Sequence, residues 1–556
     1  MVAWLTERGW LRILPVLFVI FLGACGTRLV EPPFSSGGST PQAKTLTPAD
    51  TAVQSIEATE VPDALRIWLD PSLPSFLRQQ AVNLTSMGDR PIEIVEDSEE
   101  AHILLEPGAE VPITTWVYAL VAPFPTVTDA WSIDELERVW RGEDEVGNFY
   151  VPQEHVEALR VMLGTPSEGG VLGVEETYVI EAAWADQPSF AIVPFEALEP
   201  RWKVLEVEGD SPIRKSFDET QYPLVVTFGL SGDSAAIDEL ADMVHWPESN
   251  RDPGKMTTVV MTGVTALTRA TAWMMESKGV EFPAEKIGHW LSEADFTHIS
   301  NEVSFWDDCP PPKPVREGLD FCSHPSYIPL FDAIGVDVIE LTGNHLKDFG
   351  EEGLLQSLDI YRENSWLYFG GGENLEDSLN PVLFEHNGNR IAFFGCNLAG
   401  PVSVWADESS PGATPCSNDA VFSEVVRLKS EGYMTIFTYQ WFEYYEPWPV
   451  SKQMLDFQEA VNAGALIVSG SQAHRPQGFE FYQDAFIHYG LGNLFFDQMW
   501  ALGTRQQFID RHVFYDGRHI STELLTAMLE EFAQPRPMTD EERTAFLEEI
   551  FAASVW

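Results

Sequence analysis

Basic residues are scarce in this 556-residue sequence. It contains 33 Lys and Arg against 86 Asp and Glu, which gives a formal net charge of −53. A surface this acidic repels nucleic acid and anionic lipid head groups, so we expect no nucleic-acid partner. A polyanionic ligand would need a local positive site or a bound metal.

Long apolar runs are also lacking at the N-terminus. The run from Ile13 to Phe21 is too short to span a bilayer comfortably. Arg8 and Arg12 precede it and Leu22-Gly23-Ala24-Cys25 follows it, an arrangement typical of a secretory signal. The ending resembles a bacterial lipobox, which implies cleavage before Cys25 and lipidation of its thiol. The alternative is a short membrane anchor followed by a chance cysteine.

The first 62 residues are therefore expected to direct and tether the protein. Residues 1–25 are predicted to be a lipoprotein signal peptide, and residues 26–62, rich in Ser, Thr, Pro and Gly, a flexible tether. The predicted location is extracytoplasmic, with the lipid as the contact with the membrane.

Cysteine is rare, with five residues in the whole chain. Apart from Cys25 these are Cys309, Cys322, Cys396 and Cys416. An even number outside the cytosol predicts two disulfides, for which three connectivities are possible. We expect neighbours to pair, closing two loops. A thiolate metal site is the alternative, but no Cys-x-x-Cys spacing supports it.

The region from residue 63 to 247 alternates short apolar strands with helical patterns. Ser132 before Ile133–Trp140, with acidic residues in the first turn, predicts a helix start. Predicted strands include 65–69, 102–105, 116–121 and 190–193. This alternation is typical of an α/β domain.

Several motifs of this region are similar to those of periplasmic solute-binding proteins of the phosphate-binding type. They are YALVAPFPTV at 118–127, SIDEL at 132–136, WRG at 140–142, GDSP at 209–212 and YPL at 222–224. The resemblance implies a small anionic ligand, although no Gly/Ser/Thr-rich phosphate loop is evident. A generic α/β spacer domain is the alternative.

A polar link at 248–255 precedes a second α/β region, predicted to form a domain over residues 256–556. Strand patterns include 257–261, 296–300, 336–341, 390–394, 434–439 and 465–469, with paired strands from 479 to 496. Helical patterns include 266–278, 327–334, 351–363, 421–431 and 452–463, and a last helix begins near Met538.

Polar residues follow the ends of these strands, where function collects in such sheets. They include Asn301-Glu302, Gly343-Asn344-His345, Gln440-Trp441 and Gly470 to His474. Carboxylate, amide and imidazole groups suit Mn, Mg, Zn or Fe. An imidazole beside a metal-held oxyanion can serve as a general acid.

The order of these motifs resembles the CapA family of poly-γ-glutamate capsule biosynthesis proteins. They are GVTALTR at 263–269, NE at 301–302, GNH at 343–345, DFG at 348–350, QWF at 440–442, GSQAHR at 470–475 and GLGNLFFDQ at 490–498. The resemblance implies a metallophosphatase-like α/β/β/α sandwich, beside a separate solute-binding-protein-like α/β domain. It also implies a role in the synthesis, export or handling of a cell-surface polymer.

By position in the family motifs, several site residues are retained. Glu302, Asn344 and His474 are implied metal residues and His345 the implied catalytic acid. Gln440 stands at a further metal position, and Asn301, Arg269 and Asp348 line the rim. Four positions depart from the family. Val264 replaces an Asp, Gln440 a His, and Ser471 and Gln472 two further His.

These departures predict a degenerate centre that holds no metal or one weakly bound Mn, Mg or Zn ion. Two alternatives stay open. One is an active metal-dependent phosphoesterase or hydrolase with a remodelled site; the other is a binding module for an anion or polymer. The sequence does not indicate the oligomeric state.

Overall fold

The computed structural model describes residues 63–87, 89–315 and 318–556. The predicted signal peptide, Cys25 and the tether at 26–62 lie outside these residues. Within them, no helix has the length and apolar character needed to cross a membrane. The described residues, from Asp63 onward, belong to one compact unit.

A ten-stranded mixed sheet organises the N-terminal region and is named here the N-terminal sheet. Its spatial order is Ser86–Met87, Arg90–Val95, Leu65–Leu69, Ile103–Pro107, Val225–Gly232, Val111–Pro123, Ser189–Pro194, Asn148–Pro152 and Leu172–Val174, with Trp202–Val204 paired to Val111–Pro123. The 13-residue strand Val111–Pro123 pairs with Val225–Gly232 near its start and with Ser189–Pro194 near its end. A short two-stranded sheet joins Ala130–Trp131 and Glu206–Val207.

Five α-helices accompany the N-terminal sheet: Ser75–Val82, Ile133–Trp140, Val156–Leu163, Val179–Ala185 and Ser234–Met243. The predicted start at Ser132 is confirmed. Its hydroxyl accepts from the backbone N–H of Glu135 while the Glu135 carboxylate accepts from the Ser132 backbone, a reciprocal capping box. Leu136, Val139 and Trp140 are the buried side of that helix.

An eight-stranded sheet, the first C-terminal sheet, begins the second region. Its order is Leu367–Phe369, Val338–Glu340, Phe296–Asn301, Met256–Thr262, Gln506–Tyr515, Arg518–Glu530 and Gln534–Pro537, with Val264–Thr265 paired to Phe296–Asn301. The long hairpin Gln506–Tyr515/Arg518–Glu530 was not predicted. Both of its strands are buried almost throughout, so they lack the polar–apolar alternation that marks a half-exposed strand.

A six-stranded sheet, the second C-terminal sheet, packs against the first. Its order is Val382–His386, Asn389–Asn397, Met434–Gln440, Ile467–Ser471, Ala485–His488 and Phe479–Tyr482. The prediction of paired strands from 479 to 496 is wrong in its extent, because the pairing ends at His488. Gly492 then turns the chain with φ +82°, where a Cβ would lie 2.8 Å from Pro476 Cδ.

The two C-terminal sheets form the middle of a four-layer sandwich. Val259 and Val338 of the first sheet share a core with Phe393 and Ile436 of the second. Helices cover the outer face of each sheet. They are Arg269–Lys278, Gly288–Ser292, Pro329–Ala333, Gly350–Glu363, Ala420–Ser430 and Ser451–Ala463. Asp540–Ala553 instead packs its buried side into the core that the two sheets share, and Leu375–Ser378 is a short additional helix. Gly371–Gly372 and Gly412–Ala413 pair separately.

Both predicted disulfides are present with the neighbour pairing, which confirms that expectation. Cys309 bonds to Cys322 and Cys396 to Cys416. Each closes a short loop next to strand ends of the C-terminal sandwich.

The N-terminal region contacts the C-terminal sandwich through charged and aromatic groups. Phe124 is 1% exposed and lies 5.3–5.5 Å, ring to ring, from Phe479, Phe481 and Phe486. Asp129 accepts two hydrogen bonds from the Arg543 guanidinium, at 2.6 and 2.8 Å. Burial alone would raise the pKa of Asp129, but the hydrogen bond and charge of Arg543 together with Lys203 hold it at about 2.

The polar link at 248–255 is anchored to the N-terminal sheet. The Asn250 amide exchanges hydrogen bonds with the backbone N–H and C=O of Val117, at 2.7 and 3.0 Å. Arg251 is buried, donates to the carbonyls of Pro212 and Arg214, and stacks 4.5 Å from the Phe217 ring. The link therefore adds to the N-terminal packing.

Candidate functional site

The candidate site lies where parallel strands of both C-terminal sheets end. Glu302 follows Phe296–Asn301 and Asn344 follows Val338–Glu340 in the first sheet. Gln440 ends Met434–Gln440, and Gln472 follows Ile467–Ser471 in the second. The carboxyl ends of neighbouring parallel strands share one edge, so these side chains converge.

Gly343 makes the approach of two of these chain segments possible. A Cβ at this position would lie 2.7 Å from the Cα and the carbonyl oxygen of Glu302. Real Cβ atoms do not come this close to backbone, so only glycine fits before Asn344. The Gly-Asn-His motif thus brings Asn344 next to Glu302.

The side-chain amide of Gln440 occupies the centre of the group. Its Nε2 donates to Glu302 Oε1 at 3.1 Å and to Asn344 Oδ1 at 3.2 Å, and it also contacts Gln472 Oε1 closely. Its Oε1 accepts from Ser471 Oγ at 2.6 Å. Three acceptor oxygens therefore face one neutral N–H₂ group.

Gln472 is held in an unusual backbone conformation. Its φ is +73°, in the left-handed region that non-glycine residues rarely adopt. Such strain collects at functional sites, where the surrounding structure maintains it. Here it accompanies the placement of the Gln472 amide against Gln440.

A second group of buried residues, which the sequence reasoning missed, supports Ser471. Ser471 Oγ also lies 3.1 Å from Glu340 Oε1, and His298 Nε2 lies 3.1 Å from Glu340 Oε2. Burial alone would raise the pKa of Glu340, but the hydrogen bond and charge of His298 lower it. A carboxylate between Ile339 and Leu341, within an otherwise largely apolar strand, was the signal that could have marked Glu340.

His345 lies at the exposed edge of the site. Its Nδ1 is 2.6 Å from Asp348 Oδ2, and its side chain is 20% exposed. Burial lowers its pKa, but the Asp348 hydrogen bond and the Glu302 charge outweigh this, and the pKa is raised. Asp348 fixes one ring nitrogen, which orients the other.

Asp348 is itself positioned by the loop that Cys309–Cys322 closes. The backbone N–H of Phe321 donates to Asp348 Oδ2 at 2.8 Å, and the Phe321 ring lies 4.6 Å from the His345 ring. Arg269 lies 4.7 Å from the centres of the Phe321 and Phe496 rings. Its guanidinium also pairs with both carboxylate oxygens of Asp497, which was not among the predicted residues.

Two predicted residues have other contacts. His474 Nδ1 lies 2.8 Å from Asn493 Oδ1. Asn301 donates to the Val303 carbonyl and to the Tyr361 hydroxyl, at 2.9 and 2.8 Å. Val264 is buried among apolar groups and offers no donor. The structure thus brings Glu302, Asn344 and Gln440 into direct contact, with His345 and its Asp348 partner beside them.

The described residues contain one group of three or more His, Cys, Asp or Glu side chains spaced to hold a metal ion, and it lies elsewhere. It consists of Glu154, His155 and Glu176 in the N-terminal region.

The fold and site define a class of protein. The described chain carries an α/β/β/α sandwich after an N-terminal α/β region, with polar residues gathered at the strand ends of the sandwich. Residues 258–498 match the family described as bacterial capsule synthesis protein PGA_cap. This part of the chain is a PGA_cap domain.

Individual proteins similar to this chain include a capsule biosynthesis protein. The capsule biosynthesis protein CapA of Bacillus anthracis is 24% identical over 298 residues, 53% of this chain and 72% of that protein. The 5'-nucleotidase precursor from Thermus thermophilus aligns at a TM-score of 0.30 with 11% identity, over 53% of this chain and 57% of that chain. An ABC-type phosphate transport receptor from Vibrio cholerae aligns at 0.28 with 9% identity, over 32% and 91%. Structural likeness at these scores carries no functional argument.

Proposed function

We propose that this chain is a surface-attached protein of the CapA type that takes part in making, exporting or handling a capsule polymer of the poly-γ-glutamate kind. The PGA_cap domain and the 24% identity to a capsule biosynthesis protein support this class of function. Lipidation at Cys25 would hold the protein at the outer face of the cytoplasmic membrane.

The central site of this proposed protein binds rather than hydrolyses. The observation that carries this is the Gln440 amide among the oxygens of Glu302, Asn344 and Gln472. Two-metal hydrolysis needs a bridging carboxylate and neutral imidazoles to hold both ions. Among these four side chains the one carboxylate already accepts a hydrogen bond from a neutral donor, so the donor set does not fit a metal pair.

A single hard ion would find a poorer set of ligands. Glu302, Asn344 and His474 are the residues that would hold one Mg, Mn or Zn ion, and Gln440 would have to turn its amide oxygen inward. That turn would break the contact with Ser471 Oγ, unless the hydroxyl rotates to donate elsewhere. A metal ion at this site is therefore expected to bind weakly and at less than one ion per protein molecule.

A second candidate function has one observation in its favour. His345 is partly exposed and is oriented by Asp348 at 2.6 Å, as a general acid would be. This arrangement would suit a phosphoesterase whose substrate oxygen meets the free ring nitrogen. The third possibility is that the whole chain is a binding module that captures a small anion or polymer at the surface and takes no part in making the polymer.

The test is the metal content and hydrolytic activity of the full-length protein, measured by elemental mass spectrometry and with a phosphodiester substrate. We expect little metal of the kind that Glu302→Gln would remove, and very low hydrolysis. The triple variant Val264→Asp, Gln440→His, Gln472→His should raise metal content, because it adds a carboxylate and two imidazoles. Two tightly bound metals in the parent, or hydrolysis that His345→Ala abolishes, would refute the binding-only site.

The surface role has its own test in a host that makes the polymer. Removing the gene should lower the amount of surface polymer, and the parent chain should restore it. Cys25→Ser should release the protein from the membrane and restore less polymer. If the parent carries no acyl mass and Cys25→Ser stays with the membrane, the anchor is refuted while the site proposal stands.

A further inference from the structure

One histidine of the N-terminal region is enclosed and has acidic neighbours. His155 is 2% exposed, and its Nδ1 lies 3.0 Å from the Tyr118 hydroxyl. Its Nε2 lies 3.5 Å from Glu176 Oε2, beyond the usual 2.7–3.2 Å range of an N–H···O hydrogen bond. The Nε2 side of the ring is thus not closed by a tight hydrogen bond.

A third ligand atom completes the group. One ligand atom from each of Glu154, His155 and Glu176 lies within 4.8 Å of the other two. Donors about 2.1 Å from a common ion are about 3 to 3.5 Å apart, so a small contraction suffices. The Glu176 side chain is 39% exposed and Glu154 is exposed, so both carboxylates can make that movement.

The strands place these residues at one edge. Gln153–His155 follows the strand Asn148–Pro152, and Glu176–Tyr178 follows Leu172–Val174. The two strands are paired in parallel, so both segments leave the N-terminal sheet at its carboxyl ends. The group lies in a different part of the chain from the PGA_cap domain at 258–498.

The surrounding charge favours a cation. The carboxylates of Glu154, Glu176 and Glu196 all act electrostatically on the Tyr118 hydroxyl, which lies 3.0 Å from His155 Nδ1. Several carboxylates therefore surround one enclosed imidazole.

Tyr118 supplies the outer contact that a metal-ligating histidine needs. Its hydroxyl can accept the Nδ1–H, which leaves the Nε2 lone pair free for a metal. One imidazole and two carboxylates suit Mn²⁺ or Zn²⁺ better than Ca²⁺.

We propose that Glu154, His155 and Glu176 bind one divalent transition-metal ion, of the Mn²⁺ or Zn²⁺ class, at the edge of the N-terminal sheet. The ion joins the ends of two neighbouring strands. Its remaining coordination positions face solvent on the side of the two glutamates and are open to water or to an oxyanion. This site is independent of the proposed capsule function.

The competing arrangement is a protonated His155 paired with Glu176 and no metal. Mn²⁺ titration of the full-length protein, followed by electron paramagnetic resonance, separates the two. We expect one ion with micromolar affinity, and electron spin-echo modulation from a bound ¹⁴N nucleus. Glu176→Gln should weaken binding at least tenfold.

Glu175→Gln is the matched control, because it removes the same charge from the adjacent residue and leaves the group intact. It should change the affinity less than threefold. A His155→Gln variant would test the imidazole directly. If that variant fails to fold, the variants of the exposed glutamates are sufficient for the test. Binding weaker than millimolar, equal effects of Glu175→Gln and Glu176→Gln, or no ¹⁴N modulation would overturn the proposal.

Glu302→Gln distinguishes this site from the central one. It should leave the Mn²⁺ affinity unchanged if the ion sits at His155. If Glu302→Gln abolishes binding and Glu176→Gln does not, the ion lies at the strand ends of the sandwich. That outcome would overturn this inference and also the binding-only interpretation of the central site.

Discussion

Gln440 donates a hydrogen bond to Glu302 across two sheets, with 3.1 Å between Nε2 and Oε1. Glu302 follows a strand of the first C-terminal sheet, whereas Gln440 ends a strand of the second. The two residues are 138 positions apart in the chain. A neutral amide thus satisfies a buried carboxylate where the sheets meet.

Gln440→Leu should destabilise the protein and make it responsive to metal. The change leaves the Glu302 carboxylate and two amide oxygens without their donor, at a cost of about 1–3 kcal/mol. Millimolar Mn²⁺ should recover part of that loss, because the freed oxygens can hold a cation. Urea unfolding with and without Mn²⁺ measures both effects.

Gln453→Leu is the matched control for that change. Gln453 is equally buried and donates to Gln477 Oε1 and to the Tyr489 carbonyl, away from the strand ends. Gln453→Leu should lower stability to a similar degree, and Mn²⁺ should stabilise this variant no more than it stabilises the parent protein. Equal responses of the two variants would show that the oxygens around Gln440 do not form a cation site.

Removing the Cys309–Cys322 disulfide should affect His345 as well as stability. Its sequence separation of 13 predicts a loss of about 3 kcal/mol in the double Cys→Ser variant, through the unfolded chain. Loosening Phe321 should also disturb Asp348 and shift the His345 ring signals in NMR spectra. Removing Cys396–Cys416 should lower stability and leave those signals in place; identical spectra for both variants would contradict the link.

Stability should fall as the pH drops below about 6.5. Burial lowers the pKa of His519 to about 3, and burial with the charges of His519 and His488 lowers that of His512 well below its usual value. Between these lowered pKa values and about 6.5, the pKa of a histidine in the unfolded chain, the unfolded chain binds more protons than the folded one. This contribution to stability is therefore fully present above pH 6.5 and is lost as the pH falls. One such proton changes the free energy of unfolding by about 1.4 kcal/mol per pH unit.

His519→Phe tests this pH dependence. The ring stays aromatic but no longer titrates. The slope of the free energy of unfolding against pH, between about pH 6.5 and 5, should therefore decrease by the equivalent of about one proton. The same substitution at the exposed His245 should leave the slope unchanged. Urea unfolding at several pH values provides the slopes, and a parent with constant stability over this range would show that the buried histidines do not control it.

The predicted domains 63–247 and 256–556 should each melt cooperatively when expressed alone. Asn250 and Arg251 bind the N-terminal region, so a fragment ending at residue 252 should melt higher than one ending at 247. Phe124→Ala in the full chain should cost about 3–5 kcal/mol, because it empties a site among aromatic rings of the sandwich. An unfolded N-terminal fragment in calorimetry would contradict the two-domain division.

Local patterns were sufficient for much of the fold. The Ser132 cap predicted the helix Ile133–Trp140, and the neighbour pairing of the four cysteines was correct. These features depend on contacts between residues close in sequence. The hairpin at 506–530 was missed because Asp510, His512 and Thr522 are buried in it, and a strand buried on both faces shows no alternation.

The sequence by itself determined which metal-ligating side chains the site lacks and which strand ends carry the remaining site residues. Val264 has no donor atom, and Glu302, Asn344 and Gln440 each follow or end a strand that its apolar residues predict. Only the tertiary structure decided that Gln440 lies among the oxygens, that His474 faces Asn493, and that Asn301 bonds to Tyr361. These contacts join distant segments, and the direction in which a side-chain amide points depends on partners that no local pattern specifies.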